Sequence, residues 1–168
     1  MLIIVASLLK HPPKDVAGPG TETIESFDPM PGPYLIRDVS LLLTLPGQNA
    51  VIPPQDAAYG VQCVGLVKAY AGCPRTEEWR KGPFVKDMPK LQRGVAIATF
   101  FGGIYPSHKH GNHACFFVEF LPDDTGFTVL EQHVKPYPNI IRTRNIRFDM
   151  DPKTTEAASN GDLFSVIM

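Results

Sequence analysis

In the stretch YGVQCVGLVKAYAGC (residues 59–73) apolar side chains fall at positions 64, 66, 67, 70 and 71, the spacing of one helix face. Gly72 and then Pro74 stop that pattern, so it predicts a helix over Val64–Ala71 with Cys63 at its N-terminus. Further along, short continuous apolar runs replace the helical spacing. GVAIATFF (94–101) reads as a buried strand, GG as a turn, HACFFVEF (113–120) as a second strand, LPDDTG as a turn and FTVLEQH (127–133) as a third. Turns this short join antiparallel neighbours, which predicts an α+β domain with one helix packed on an antiparallel sheet. TEEWRKGPFV (76–85) reads as a loop or a short helical turn.

Before residue 55 the texture differs. Residues 11–54 are rich in proline and glycine around one apolar patch, YLIRDVSLLLTL (34–45), which suits a strand or a short helix packing on the main domain; DPMPGP (28–33) reads as a turn. The pattern divides the chain into an N-terminal extension of unknown role (1–54) and a main domain (55–168). The opening MLIIVASLL lacks the charged start of a secretory signal, and Lys10, Pro12 and Pro13 end it short of a membrane-spanning length.

Composition narrows the partners. At 168 residues there is chain for one domain, and a formal net charge of -1 supplies no basic field for nucleic acid or an anionic membrane surface. A small or neutral partner fits better. Three cysteines, Cys63, Cys73 and Cys115, match neither a disulfide scaffold nor a four-ligand zinc module.

The chemistry starts from Cys63. A helix N-terminus presents free N–H groups and the positive end of the helix dipole, which together favour a thiolate. A thiolate nucleophile needs an imidazole partner, and His113 opens the second strand fifty residues later. Alternation places His113, Cys115, Phe117 and Glu119 on one strand face, and Phe127, Val129, Glu131 and His133 on one face of the next. If those strands form a hairpin, Glu131 lies opposite His113 or one diagonal step away, close enough to orient the ring. Gln132 and His133 are the substitutes if the register differs.

The order QCVGLV, RGVAIATF, GNHACFFVEF, VLEQH resembles the CHAP and NlpC-type amidases, papain-like cysteine peptidases that cut amide bonds in bacterial cell-wall peptidoglycan. Within them it is most similar to small bacterial proteins with GQCV and GNHA signatures considered as antibacterial effectors. The resemblance covers about residues 55–168. It implies Cys63 as nucleophile, His113 as base and Glu131 as third member, with His133 where CHAP domains often carry asparagine.

Acyl transfer of that kind needs no metal or cofactor, and it needs donors for an oxyanion. The Cys63 backbone N–H is the first candidate, with Gln62 or Tyr59 as a side-chain second. Trp79 offers an aromatic wall for a substrate cleft, and Tyr59, Tyr105, Asn112 and Gln132 offer polar contacts. The resemblance also implies a peptidoglycan peptide as substrate and an immunity or inhibitor protein as partner.

A competing reading rests on the histidines. GGIYPSHKHGNHAC (102–115) resembles the opening of a cupin metal motif, but Ala114 or Cys115 stands where that motif needs glutamate. A looser zinc site could draw on His108, His110, His113 and Cys115. A third reading, a non-catalytic cell-wall or protein-binding module, sits poorly with an intact Cys, His and Glu set.

Overall fold

The computed structural model describes residues 32–106, 108 and 111–168. The apolar opening segment, most of DPMPGP and His110 lie outside the described residues. The architecture is a six-stranded, wholly antiparallel sheet of β1 (Lys81–Phe84), β2 (Ala96–Thr99), β3 (Ala114–Phe120), β4 (Gly126–Glu131), β5 (Arg142–Arg147) and β6 (Phe164–Ile167), flanked by α1 (Leu41–Thr44) and α2 (Val64–Ala71). The spatial order is β1-β6-β2-β3-β4-β5. Strands β2 to β5 form a meander in which each pairs with the next, and the chain then returns to insert β6 between β1 and β2.

The central strands read as continuous apolar runs because both faces of the sheet are covered. On one face Ala96, Ala98, Ala114, Phe116, Val118 and Leu130 pack with Leu66 and Val67 of α2. On the other, Ile97, Cys115, Phe117, Phe127, Val129, Ile146, Phe164 and Val166 form a second cluster. Ala96, Ala98 and Ala114 are small where α2 comes down, which leaves room for Leu66; truncating Leu66 to Ala costs about 3 kcal/mol by the usual cavity cost.

The patch YLIRDVSLLLTL packs on the domain in two ways. Leu35 bridges Val95 in antiparallel fashion, and Ile36, Leu42 and Leu45 join the α2-side core. A division at residue 54 therefore falls inside one packed unit among the described residues. KGPF, expected within a loop or short helical turn, forms edge strand β1: Lys81 pairs with Ile167 and Phe84 with Ser165, so pairing with β6 overrides the low strand preference of Gly82 and Pro83. The helix runs over Val64–Ala71, and its C-cap Gly72 has the left-handed φ of 70° that glycine adopts freely.

Helix, hairpin and hydrogen bonds meet at one end of the sheet. In the β3–β4 register Phe116 pairs with Leu130 and Phe117 with Val129, so continuing it puts His133 across from His113 and Glu131 one diagonal step away. The strand ends at Glu131, however, and His133 takes a φ of 62° and turns out to solvent.

Candidate active site

Cys63 is the N-cap of α2, held there by a polar clasp behind it. The Gln132 side chain accepts from Val51 N–H (3.0 Å) and donates to the carbonyls of Val51 (2.9 Å) and Gln62 (2.7 Å). Gln132 is thus fully buried and binds backbone, which corrects its sequence-based assignment to the substrate groove. The clasp requires Gly65: a Cβ there would lie 2.9 Å from the Val51 carbonyl and 3.0 Å from Gln132 Nε2.

Cys63 is 8 % exposed, and it lines a cleft of about 770 Å³. His113 is buried next to it and hydrogen-bonds to the thiol. The imidazole Nε2 lies 3.0 Å from Glu131 Oε2, leaving Nδ1 for the sulfur. The backbone of His113 is fixed as well, its N–H donating to Thr99 Oγ1 at 2.9 Å. Glu131 in turn accepts from Arg142 Nε (3.2 Å) and from Arg144 Nε (2.7 Å) and Nη2 (2.9 Å). Arg144 is anchored beyond it by Ser159 Oγ and the Ala158 carbonyl.

The electrostatics follow from this line of groups. Burial alone would disfavour the Cys63 thiolate, but hydrogen bonding and charge from His113, with bonds from Tyr105 and the Ala114 N–H, outweigh it and hold the thiol below its ordinary value. Burial likewise opposes the imidazolium, yet bonding to Cys63 and Glu131 raises His113 to about 9. Glu131, despite its burial, is held at about 2 by His113 and Arg144. Both shifts favour a thiolate–imidazolium pair over the neutral thiol and ring. The other two thiols lack such partners: burial pushes Cys73 up to about 12, and burial with the Glu131 charge pushes Cys115 well above the ordinary thiol.

The remaining sequence candidates divide by burial. Tyr59 (72 % exposed), Gln62, Asn112 and His108 line the cleft, where Gln62 Nε2 donates to the Tyr59 carbonyl at 3.1 Å. Trp79 does not: at 1 % exposure its indole donates to the Pro74 carbonyl and its ring packs against Tyr105, because a side chain of that volume fills the core beneath the loop. His133 is exposed and makes no contribution as the third member, since the strand has ended before it. Among the described residues no three His, Cys, Asp or Glu side chains converge as metal ligands do. Arg142 and Arg144 are groups at the site that pattern reading did not assign, and Tyr105, read only as a polar contact of the cleft, has its hydroxyl 3.5 Å from the Cys63 sulfur. The alternation in RTRNIR put both guanidiniums on one face of a strand and was the available signal for the first two.

A thiol at a helix N-terminus, an imidazole and a buried carboxylate in one line, open to a cleft, form the arrangement that cysteine nucleophiles of the acyl-transfer class use. Residues 47–167 match the family model described as domesticated amidase effector 2, and the chain belongs to that family. It is 42 % identical over 65 residues to the type VI secretion amidase effector 2 protein of Salmonella typhi, a match that covers 39 % of this chain and 47 % of that one. The chain thus spans about half the length of this relative. The solved structure titled type 6 secretion amidase effector 2 superimposes with a TM-score of 0.60 at 26 % identity, covering 76 % of this chain and 91 % of the other. The expected resemblance to amidase effectors is borne out, with a matched region that begins before residue 55.

Proposed function

We propose that this protein is a papain-like cysteine amidase that cleaves an amide bond of peptidoglycan stem peptides. The observation that carries the reading is the unbroken line from Cys63 through His113 to Glu131 at the floor of an open cleft. The Cys63 thiolate attacks the scissile carbonyl carbon, and the carbonyl electron pair moves onto oxygen. The Cys63 backbone N–H, at the start of α2, faces the developing charge. When the intermediate collapses, the His113 imidazolium gives its proton to the leaving nitrogen, the C–N bond breaks and an acyl-thioester remains. Water then attacks the thioester, its proton passes to His113, and the acid departs as the thiolate is restored.

Glu131 keeps the ring oriented and its charge compensated throughout, while Arg142 and Arg144 keep the carboxylate ionised and fixed. Tyr59, Gln62 and Asn112 supply polar contacts along the cleft for a short amide chain. The effector titles of the relatives support an immunity protein as partner. Purified protein is expected to release new amino termini from isolated bacterial sacculi, and Cys63→Ala is expected to release none. Muropeptide profiles left unchanged by folded protein whose Cys63 alkylates rapidly would discard the cell-wall assignment.

A further inference from the structure

Tyr105 lies in the loop after β2, beyond the tight Phe101–Ile104 bridge, and is 6 % exposed. Its ring is held by Trp79 (centroids 4.8 Å apart) and Phe100 (6.3 Å), and the Trp79 indole is itself tied to the Pro74 carbonyl at 3.1 Å. Two aromatic walls leave the ring little freedom, so the hydroxyl position is set by the fold. That hydroxyl is 3.5 Å from Cys63 Sγ, and Asn112 Nδ2 donates to it at 2.9 Å. A phenol has one hydrogen to give. With its oxygen accepting from Asn112, the hydrogen is free to point at the sulfur.

Building on the amidase reading, we propose that Tyr105 is a further catalytic residue: oriented by Asn112, its hydroxyl donates to the Cys63 thiolate at rest and to the carbonyl oxygen that the thiolate attacks. The group suits the task at both moments. Burial and the neighbouring sulfur charge raise the phenol well above its ordinary value, so it stays a donor across the working range. As the S–C bond forms, negative charge leaves the sulfur and appears on an oxygen bonded to the adjacent carbon. A donor already aimed at the sulfur follows that charge with a small rotation about its C–O bond. No proton is transferred, so the phenol emerges unchanged. Asn112 acts through Tyr105 and is a positioning residue.

The sulfur is also faced by His113 just before β3 and Cys115 on it, by Glu131 and Arg144 behind them, and by the Lys68–Asp56 pair on the α2 side of the cleft. None of these is altered by Tyr105→Phe, which keeps the ring and removes only the oxygen. The test is the pH dependence of Cys63 alkylation by iodoacetamide, with sacculus cleavage as a second measurement. A hydrogen bond to an ion of the usual strength corresponds to about one pH unit, so the Tyr105→Phe midpoint is expected to move up by about that much. Turnover is expected to fall about 100-fold with KM little changed, as for other single oxyanion donors. Asn112→Ala is expected to shift the midpoint in the same direction by less, and the double variant to behave like Tyr105→Phe alone. A wild-type midpoint in Tyr105→Phe overturns the proposal. Should that variant not fold, a wild-type midpoint in Asn112→Ala does the same, and a shifted midpoint with full turnover removes the oxyanion role. The alkylation measurement needs no substrate, so it decides the matter whether or not sacculi are cleaved.

Discussion

Glu131 Oε2 sits 3.0 Å from His113 Nε2 while the same carboxylate accepts three N–H bonds from Arg142 and Arg144. One buried anion thus has two duties: it orients the His113 ring, and it is the shared acceptor of two half-buried guanidiniums. The ring sits just before β3 and the arginines on β5, so the carboxylate also couples the position of the imidazole to the pairing of β4 with β5.

Removing that charge is expected to act on fold and activity together. Glu131→Gln keeps the shape but leaves Arg144 and Arg142 without a counter-ion, a loss of about 3 kcal/mol for a broken buried pair. The sign with pH follows from Glu131 being held at about 2 against an ordinary 4.5. A depressed folded value means the stabilisation is complete above 4.5 and is lost as pH falls through about 2. The gap in denaturant stability between the two proteins should therefore be widest near neutrality and narrow below pH 4.5. In turnover Glu131→Gln should cost less than loss of Cys63 or His113, because an orienting group does not itself react.

Thiol reactivity is expected to be confined to one cysteine. Cys63 combines a lowered pKa with access from the cleft, whereas Cys73 and Cys115 are buried and shifted upward. Iodoacetamide at neutral pH should modify Cys63 at least 100-fold faster than the others, given the thiolate fractions involved. Mass spectrometry of timed digests checks this, and equal labelling of all three would remove the activated nucleophile.

Activity should follow a bell in pH. The reactive form needs sulfur deprotonated and ring protonated, so it exists between the lowered Cys63 value and the His113 value of about 9. As pH rises through about 9 the imidazolium loses its proton and kcat/KM should fall. In His113→Gln the thiol loses its largest stabilising partner, and the onset of alkylation should move to higher pH. An alkaline limb near pH 7 instead would show that the ring is not held by Glu131 as the geometry requires.

The parts of this site that were legible in the sequence are those set by local rules. Helix α2 could be bounded because Gly72 and Pro74 stop it, and Cys63 followed from its start. The β3–β4 hairpin could be paired because its turn is short, which brought Glu131 within a diagonal of His113. What could not be read depends on partners distant in sequence. Strand β6 is four residues inserted between β1 and β2, and β5 is too polar to read as a strand until its arginines meet Glu131. Trp79 and Gln132 have side chains that suit a groove, but the fold closes over both. The Tyr105 hydroxyl reaches the sulfur only because the Phe101–Ile104 bridge returns the chain toward α2.

The clasp behind the nucleophile should be as sensitive as the nucleophile's own partners. Gln132 satisfies Val51 N–H and the carbonyls of Val51 and Gln62, and the last of these belongs to the residue just before Cys63. Gln132→Ala strips the Val51 N–H and carbonyl of their partner, while the Gln62 carbonyl keeps the Gly65 N–H at 3.1 Å; at the usual penalty for unmet groups the loss is about 2 kcal/mol or more. Gly65→Ala tests the same contact from the helix side. An alanine in an exposed helix gains about 1 kcal/mol over glycine, yet here its Cβ meets the Val51 carbonyl at 2.9 Å and Gln132 Nε2 at 3.0 Å. Backbone cannot yield as a flexible side chain does, so the clash should outweigh the gain. Both variants are expected to melt lower and to alkylate Cys63 more slowly at neutral pH, since the start of α2 shifts away from His113. A Gly65→Ala protein that melts higher than wild type and alkylates at the same rate would mean that α2 is not seated by this clasp.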